Sequence, residues 1–446
     1  LLVPTGEGVG LTSACLGLVY ALECQGVKAG FVKPFSQELN TDPDRTTALY
    51  RHISKLDTVE PISYAKLTQQ LNNGETDELL EEAVSLQRQV AKSHNIIIVE
   101  GLVPTARDSF ASDLNASLAQ ALDAKVIFVS NADITKPEQT AEKVEAQLRN
   151  FGGASSSRNA GVLFMRTRGL PADSAQIPVT IDPNLRLISD TNNFKNEIHK
   201  THAHIGSTEF PIIGLVPFSD TLSVPRISDL AQQIKATWIN EGKAKTRRVL
   251  HSSLIAANIE HELHKFTAGE LIISASDRID VLLASSLATS NGIPLAGLVL
   301  TEHHEPNSLV LDFCQSAIKN GLPILHTPLS TFETAQQLAN LSNEIPVDDT
   351  DRADQVTRFV SSHINQEWLI QMLNGDYKPR LSPSAFRHEL VQKSIAAKKR
   401  IVLPEGDEPR TIQAAAICQS RGIAQCVLLA KPEAVLEVAK ARNIEL

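Results

Sequence analysis

Aromatic residues are scarce in this chain of 446 residues, where they make up 4% of the sequence. Its hydrophobic cores must therefore be built from aliphatic side chains. Cysteine is also sparse, and no pair has C-x-x-C spacing; the five cysteines are Cys15, Cys24, Cys314, Cys418 and Cys426. A scattered, odd-numbered set is typical of reduced thiols in a reducing compartment, and it argues against a disulfide framework.

Long apolar runs and an excess of positive charge are missing as well. No run approaches the ~18 apolar residues that a membrane span needs, and no signal peptide is visible. The 42 lysines and arginines are outnumbered by 51 aspartates and glutamates, giving a net charge of −9, which argues against a nucleic-acid-binding surface. We therefore expect a cytoplasmic protein with neither membrane nor nucleic acid as a partner.

Short continuous apolar runs alternate with helix-like segments along the first half of the chain. Runs of this kind are typical of parallel strands that helices cover on both faces. The predicted strands are Leu1–Pro4, Gly30–Lys33, Ile96–Glu100, Lys125–Ser130, Gly161–Arg166 and Pro211–Val216. The pattern predicts an α/β fold that begins with a doubly wound, parallel-sheet, P-loop-like domain over residues 1–222.

The rest of the chain predicts a second, smaller α/β domain over 223–346 and a truncated third α/β domain over 384–446. Between them, 347–383 is predicted to be a helix and a linker, the helix running from about Asp348 to Leu373. Both chain ends fall inside periodic segments, so we expect Leu1 and Leu446 to be points of truncation.

The glycine-rich segment Thr5–Thr12 (TGEGVGLT) lies between the first strand and the first helix. A phosphate-binding loop reads G-x-x-x-x-G-K-[ST] at this point, and its backbone N–H groups bind phosphate oxygens. Here Leu11 stands in place of the lysine that steadies a transferred phosphate, so phosphoryl transfer is not expected. A tight turn without ligand and a weak anion site both stay open. The degenerate loop would bind an anion through Gly6, Gly8, Gly10 and Thr12.

Lys33 and Glu100 follow the second and third predicted strands. The carboxyl ends of parallel strands form the ligand crevice of open α/β sheets, so we expect these two side chains to meet there. The segments PTGEGVGLTS, FVKP, VEGLVPT and PIIGLVPF together resemble the dethiobiotin-synthetase-like domain that opens long bacterial phosphate acetyltransferases. This resemblance implies a degenerate accessory domain with Lys33 and Glu100 in a regulatory crevice.

The segment Phe266–Val281 (FTAGELIISASDRIDV) resembles the DRTGG domain, although only Asp277 and Arg278 keep the five-residue motif. An Asp-Arg pair after a strand would bind an anion. The favoured alternative is an aspartate that caps the next helix, beside a local salt bridge.

The segment Lys399–Thr411 (KRIVLPEGDEPRT) combines a strand, an acidic turn and a helix that starts near Pro409. With the following AAAIC, RGIA and CVLLA, it resembles the start of the phosphate acetyl/butyryl transferase domain. Arg410 near the helix N-terminus would bind a phosphate of coenzyme A or of acetyl phosphate. Pairing with Glu405, Asp407 or Glu408 is an equally weighted alternative.

The order of these three resemblances implies a phosphate acetyltransferase, an acyltransferase of acetate metabolism. Its substrates and products would be acetyl-CoA, inorganic phosphate, acetyl phosphate and coenzyme A. The catalytic residues, unknown here, are expected beyond Leu446, so this fragment alone should be inactive. The resemblance implies a homo-oligomer with no metal and no bound cofactor, coenzyme A acting as substrate.

Two other classes of function remain open at this point. One is a regulatory module that senses a nucleotide or metabolite, or that holds an oligomer together, without catalysis of its own. The other is an ATP-dependent ligase of the dethiobiotin type, against which Leu11 argues because the loop lysine is missing.

Overall fold

The computed structural model describes residues 1–38, 43–54, 58–168, 183–302, 308–339, 344–375, 380–442, 444 and 446, with the backbone alone at 183–191 and 220. The strands are β1 (Leu2–Pro4), β2 (Ala29–Val32), β3 (Ile96–Val99), β4 (Val126–Asp133), β5 (Asn159–Arg168), β6 (Ile212–Pro217), β7 (Thr237–Asn240), β8 (His251–Leu254), β9 (Glu270–Ala275), β10 (Gly297–Thr301), β11 (Ile324–Thr327), β12 (Arg400–Leu403) and β13 (Gln425–Leu428).

Helices separate most of these strands along the chain, with several in succession after β2 and after β11. They are α1 (Leu11–Cys24), α2 (Arg45–Ser54), α3 (Tyr64–Asn72), α4 (Thr76–Ala91), α5 (Ala111–Ala121), α6 (Pro137–Asn150), α7 (Pro183–Thr201), α8 (Asp220–Ser223), α9 (Ile227–Gln233), α10 (Ile259–Glu262), α11 (Ile279–Ser290), α12 (Ser308–Phe313), α13 (Gln315–Lys319), α14 (Thr331–Ala339), α15 (Thr350–Ser362), α16 (Gln366–Asn374), α17 (Pro383–Ala397), α18 (Pro409–Ser420) and α19 (Pro432–Ala441).

The chain divides into two compact units. The first unit consists of Leu1–Met165, Asn192–Val216 and Phe359–Leu446, and the second consists of Arg166–Thr191 and Pro217–Arg358. The predicted boundaries at 222, 346 and 383 are a finer division that these units do not test, so they stay a prediction.

The first unit is built on parallel strands. A four-stranded sheet has the order β1-β4-β5-β6, and β2 and β3 form a parallel pair beside it. A parallel bridge between Leu2 and Glu100 connects β1 to the end of β3. Gly101 follows this bridge, and a Cβ there would lie 2.7 Å from the carbonyl oxygen of Leu2, which leaves no room for a side chain. The predicted α/β class, with its parallel P-loop-like first sheet, is confirmed.

The second unit contains a five-stranded sheet of order β7-β11-β10-β9-β8. Its strands pair in parallel except β7, which runs antiparallel to β11 and was not predicted. Neighbouring residues of β9 contribute to two separate cores, Ile272 to one and Ile273 to the other. Because successive side chains point to opposite faces of a strand, the sheet is covered on both faces.

The single helix predicted from Asp348 to Leu373 is wrong, because the chain forms two helices, α15 and α16, with a break between them. The backbone N–H of Asn365 donates to the carbonyl oxygen of Ile213 at 2.7 Å. Its side chain accepts from the backbone N–H of Trp368 at 3.1 Å and so caps α16. A hydrogen bond to a neighbouring strand and a new cap both interrupt a helix, and an apolar periodicity does not reveal either.

Candidate functional site

The degenerate phosphate loop connects β1 to α1. The backbone N–H of Thr5 donates to the carbonyl oxygen of Val129 at 2.9 Å, which fixes the start of the loop. Gly8 and Gly10 have φ angles of 66° and 82°, in the left-handed region that glycine adopts without strain. Gly10 stands at the N-cap of α1, and no side chain caps this helix end. The first N–H groups of α1 therefore face the loop.

The loop has open space for a ligand, but it lacks the positive charge that a lysine would supply. A Cβ added at Gly6 or Gly8 would meet nothing within 4 Å. Leu11, in the lysine position, is buried and contributes to the core. Glu7 is exposed in the middle of the loop, so the local charge there is negative. The loop therefore offers backbone donors to an anion but no cation of its own.

Lys33 and Glu100 meet at the carboxyl ends of β2 and β3, as the sequence predicts. The Lys33 Nζ lies 2.8 Å from Asp44 Oδ2 and 3.8 Å from Glu100 Oε1, and all three side chains are buried. The hydroxyl of Thr46 donates to Glu100 Oε1 at 3.3 Å and lies 3.2 Å from the Thr12 hydroxyl. The structure thus joins the end of the loop to the Lys33 cluster, which we define as Lys33, Asp44, Thr46 and Glu100.

Burial and charge act in opposite directions within this cluster. Burial would lower the pKa of Lys33, but Glu100 and Asp44 outweigh it, and the pKa of Lys33 is raised. Burial would raise the pKa of Asp44, yet Lys33 and the hydrogen bonds to this carboxylate keep it below its usual value. The pKa of Glu100 is raised, because its burial outweighs the attraction of Lys33. The cluster therefore holds one firm ion pair, Lys33 with Asp44, and one carboxyl that takes up a proton more readily.

Glu100 retains unused hydrogen-bonding capacity. Its Oε2 atom is buried and has no hydrogen-bond partner in the part of the chain that the structure describes. Such a group is costly unless something satisfies it. The nearby Cys15 thiol is fully buried. Its pKa is raised by burial first, then by the Glu100 charge, and further by a hydrogen bond to the Glu100 carboxyl. A neutral thiol of this kind is a poor nucleophile. The cluster can orient a polar ligand, but it contains no activated nucleophile.

Sequence reasoning missed Asp44 and Thr46. Asp44 precedes α2, and its Oδ1 accepts from the backbone N–H of Thr47 at 3.2 Å, as a helix-capping aspartate does. The sequence TDPDRTT contained that capping signal, but the spacing gave no indication that the same carboxylate would pair with Lys33. No group of three or more histidine, cysteine, aspartate or glutamate residues within the described ranges is arranged to hold a metal ion.

The Asp277–Arg278 pair does not form the side-chain cap that we favoured. Arg278, not Asp277, stands at the N-cap of α11, and no side chain caps that helix. The Arg278 guanidinium pairs with Asp280 at 2.8 Å and donates to the carbonyl oxygen of Ala257 at 3.0 Å. Asp280, two positions after Arg278, accepts from this guanidinium, so the charged pair forms within the first turn of α11. An anion-binding role for the pair stays a prediction.

Arg410 lies at the start of α18 with its side chain exposed. Glu408 is the N-cap of this helix, and its Oε2 accepts from the backbone N–H groups of Arg410 and Thr411 at 2.7 and 3.1 Å. The acidic turn is therefore a helix cap. Among the ion pairs of the described residues, none joins Arg410 to Glu405, Asp407 or Glu408. Its phosphate-binding role stays a prediction.

Three family models match consecutive parts of the chain. An AAA domain model matches residues 1–226, a DRTGG domain model matches 229–341, and a phosphate acetyl/butaryl transferase model matches 385–446. We call residues 385–446 the transferase segment.

Relatives that match along the whole chain are phosphate acetyltransferases. The chain is 69% identical to a phosphate acetyltransferase of Acinetobacter baylyi and 42% identical to one of Pseudomonas aeruginosa, covering 100% of this chain and 62% of each relative. It thus spans less than two thirds of the length of these relatives. Among solved structures, the CBS and DRTGG domains of a Clostridium perfringens pyrophosphatase match 35% of this chain and 63% of that one at 11% identity, with a TM-score of 0.21 that supports no argument.

Proposed function

Since the chain belongs to the AAA domain family and has the domain order of the long phosphate acetyltransferases, we propose that the protein transfers an acetyl group reversibly between coenzyme A and inorganic phosphate. The observation that carries this proposal is the 69% identity, along the whole chain, to a phosphate acetyltransferase. Acetyl-CoA, inorganic phosphate, acetyl phosphate and coenzyme A are the proposed substrates and products.

The reaction requires a thiolate, a cationic group that holds the leaving phosphate, and hydrogen-bond donors for the developing oxyanion. The coenzyme A sulfur attacks the carbonyl carbon of acetyl phosphate, a C–S bond forms, and the C–O bond to phosphate breaks. A side-chain base would take the thiol proton, and hydrogen-bond donors would stabilise the charge on the carbonyl oxygen. Arg410 is the one residue of the transferase segment that we assign to phosphate binding. For the base and the oxyanion donors we expect residues in the portion of the relatives that this chain does not cover.

The proposal is tested with the protein at the length of its relatives. Acetyl phosphate and coenzyme A are supplied, and formation of the thioester is followed by its absorbance. We expect turnover that requires both substrates, and no turnover from residues 1–446 alone. If the longer protein forms no thioester, the proposed activity is wrong.

A second candidate function is supported by the loop and the Lys33 cluster. The open space at Gly6 and Gly8 and the uncapped start of α1 together favour binding of a phosphate-bearing metabolite. Because Leu11 removes the catalytic lysine, the proposed role is sensing, with no hydrolysis of the ligand. Lys33 is already paired with Asp44, so we propose that the N–H groups at the start of α1 hold the ligand, without a divalent cation.

Calorimetric titration of the 446-residue chain with ATP, with and without magnesium, tests this second candidate. We expect heat of binding in both conditions, and about threefold tighter binding at low salt for Glu7→Gln, because that change removes a negative charge beside the ligand. Glu138→Gln, at another exposed helix start, is the matched control and should bind as the parent does. Absence of heat in every condition would leave the crevice without a sensing role.

The remaining proposals concern organisation. We propose domains at 1–222, 223–346 and 384–446, a division that the ranges of the three family models support.

A homo-oligomer is supported by large apolar side chains on the second unit, of which Phe313 is 85% and Phe332 75% exposed. We propose a cytoplasmic location from the cysteine pattern. Among the described helices, none is long and apolar enough to cross a membrane. Light scattering of the purified chain tests the oligomer, since a monomeric mass would contradict it.

A further inference from the structure

Helix α4 presents two different faces within the first unit. Leu79, Leu80 and Ala83 are buried on one side of the helix, which packs against β2 and β3. Asp77, Glu81 and Arg88 lie on the opposite side, at spacings that place them along one stripe of the helix. Asp77 is exposed, as expected of a surface carboxylate, but Glu81 is only 6% exposed. A buried carboxylate requires strong partners, since otherwise it would be costly to leave charged.

Both partners of Glu81 come from a distant part of the chain. The Nε of Arg387 donates to Glu81 Oε1 at 2.8 Å, and a terminal nitrogen of Arg421 donates to Glu81 Oε2. Arg387 lies in α17 and Arg421 directly follows α18, so two separate parts of the transferase segment reach the same carboxylate. The two carboxylate oxygens are therefore each satisfied by a different arginine.

Further contacts extend this attachment along the same surface. Arg387 also pairs with Asp77 at 3.0 Å, and Arg88 donates to the carbonyl oxygen of Ala385 at 3.4 Å. The hydroxyl of Ser382, which caps α17, donates to the carbonyl oxygen of Ala121 at the end of α5. The N-cap and the first two turns of α17 are thus held by residues of the AAA domain.

We propose that the stripe of α4 carrying Asp77, Glu81 and Arg88 is the docking surface through which the AAA domain holds the opening of the transferase segment, with Glu81 as its anchor. The partner is residues 380–421 of the same chain. Glu81 satisfies two arginines at once, whereas each arginine has water as an alternative partner. Removal of the carboxylate charge therefore weakens the attachments of α17 and α18 together, and the apolar core beneath α4 is left in place. This inference does not depend on the proposed acetyl transfer.

Hydrogen exchange of the 446-residue chain, followed by mass spectrometry, tests the docking surface. Glu81→Gln should raise exchange in α17 and α18 by at least about tenfold, since loss of a buried ion pair is a large effect. Exchange in α1 should stay within about twofold of the parent. Asp77→Asn is the matched control on the same helix, and we expect it to change α17 by less than about threefold because Asp77 is exposed.

A second pair of variants separates docking from general destabilisation of α4. Arg387→Gln and Arg421→Gln lie outside the AAA domain, and each should raise exchange in α17 and α18 while α1 is unaffected. Adding Arg421→Gln to Glu81→Gln should add less than about twofold, because the arginine acts through the carboxylate. The inference is overturned if the arginine variants leave α17 and α18 unchanged, or if they raise exchange in α1 equally.

Discussion

Replacing Lys33 with methionine removes the only cation of a buried cluster and keeps a side chain of similar length. Its amino group lies 2.8 Å from Asp44 and 3.8 Å from Glu100. At an effective dielectric constant of about 20, these distances correspond to attractions of about 6 and about 4 kcal/mol before desolvation. Desolvation offsets much of this attraction, but stranding a buried carboxylate typically costs about 3–5 kcal/mol. We expect Lys33→Met to lower the free energy of unfolding of the first unit by about this amount.

The two tryptophans of the chain provide the assay. Trp368 is buried in the first unit, where its indole N–H donates to the carbonyl oxygen of Ala160 at 3.3 Å, and Trp238 lies in the second unit. In a Trp238→Phe background, fluorescence during urea unfolding reports on the first unit alone. With a urea dependence of about 2–3 kcal/mol/M, the midpoint should fall by about 1–2 M.

The matched control is Lys66→Met, whose partner Glu82 is at the surface, and it should shift the midpoint by no more than about 0.3 M. Lys33→Met with Asp44→Asn should recover roughly half of the loss, since one stranded charge is then gone. If Lys33→Met behaves like the surface control, the reasoning about the buried cluster is refuted.

Four further outcomes follow from the geometry of the site residues. The pKa of Asp44 is held below its usual value, so its stabilisation is present above about pH 4 and is lost as the pH falls through the folded value; Asp44→Asn should flatten that acid limb of the urea midpoint. The pKa of Glu100 is raised, so stability should decline as the pH rises from about 4.5 through its folded value, and Glu100→Gln should abolish this decline. Gly10→Ala should cost about 1 kcal/mol because φ there is 82°, while Gly6→Ala, with open space and no positive φ, should unfold as the parent does. In the protein at the length of its relatives, Arg410→Gln should raise the KM for coenzyme A or for acetyl phosphate about tenfold, with Arg442→Gln as the exposed control. Unchanged KM values for both substrates would remove Arg410 from phosphate binding.

Local signals in the sequence predicted those parts of the site that depend on local geometry. Lys33 and Glu100 were predicted to meet because each follows a parallel strand, and such strand ends share one edge of a sheet. The start of α18 at Pro409 follows from its own residues in the same way. The loop glycines Gly8 and Gly10 also adopt the backbone angles that a tight strand-to-helix turn requires.

The features that the sequence did not predict depend on contacts between residues far apart in the chain. Asp44 reads as a helix cap, and its second role depends on how α2 approaches β2. Glu81 reads as a solvent-facing residue of an amphipathic helix, because its arginines are 306 and 340 positions away. The break between α15 and α16 depends on a hydrogen bond to Ile213, more than 150 positions earlier in the chain than Asn365.

The most direct test of the account is the release of free coenzyme A thiol from acetyl-CoA by the protein at the length of its relatives, measured against phosphate concentration. The account predicts that thiol release requires inorganic phosphate, saturates with it, and is matched by an equal amount of acetyl phosphate. Thiol release that is independent of phosphate, or no release at all, would contradict it.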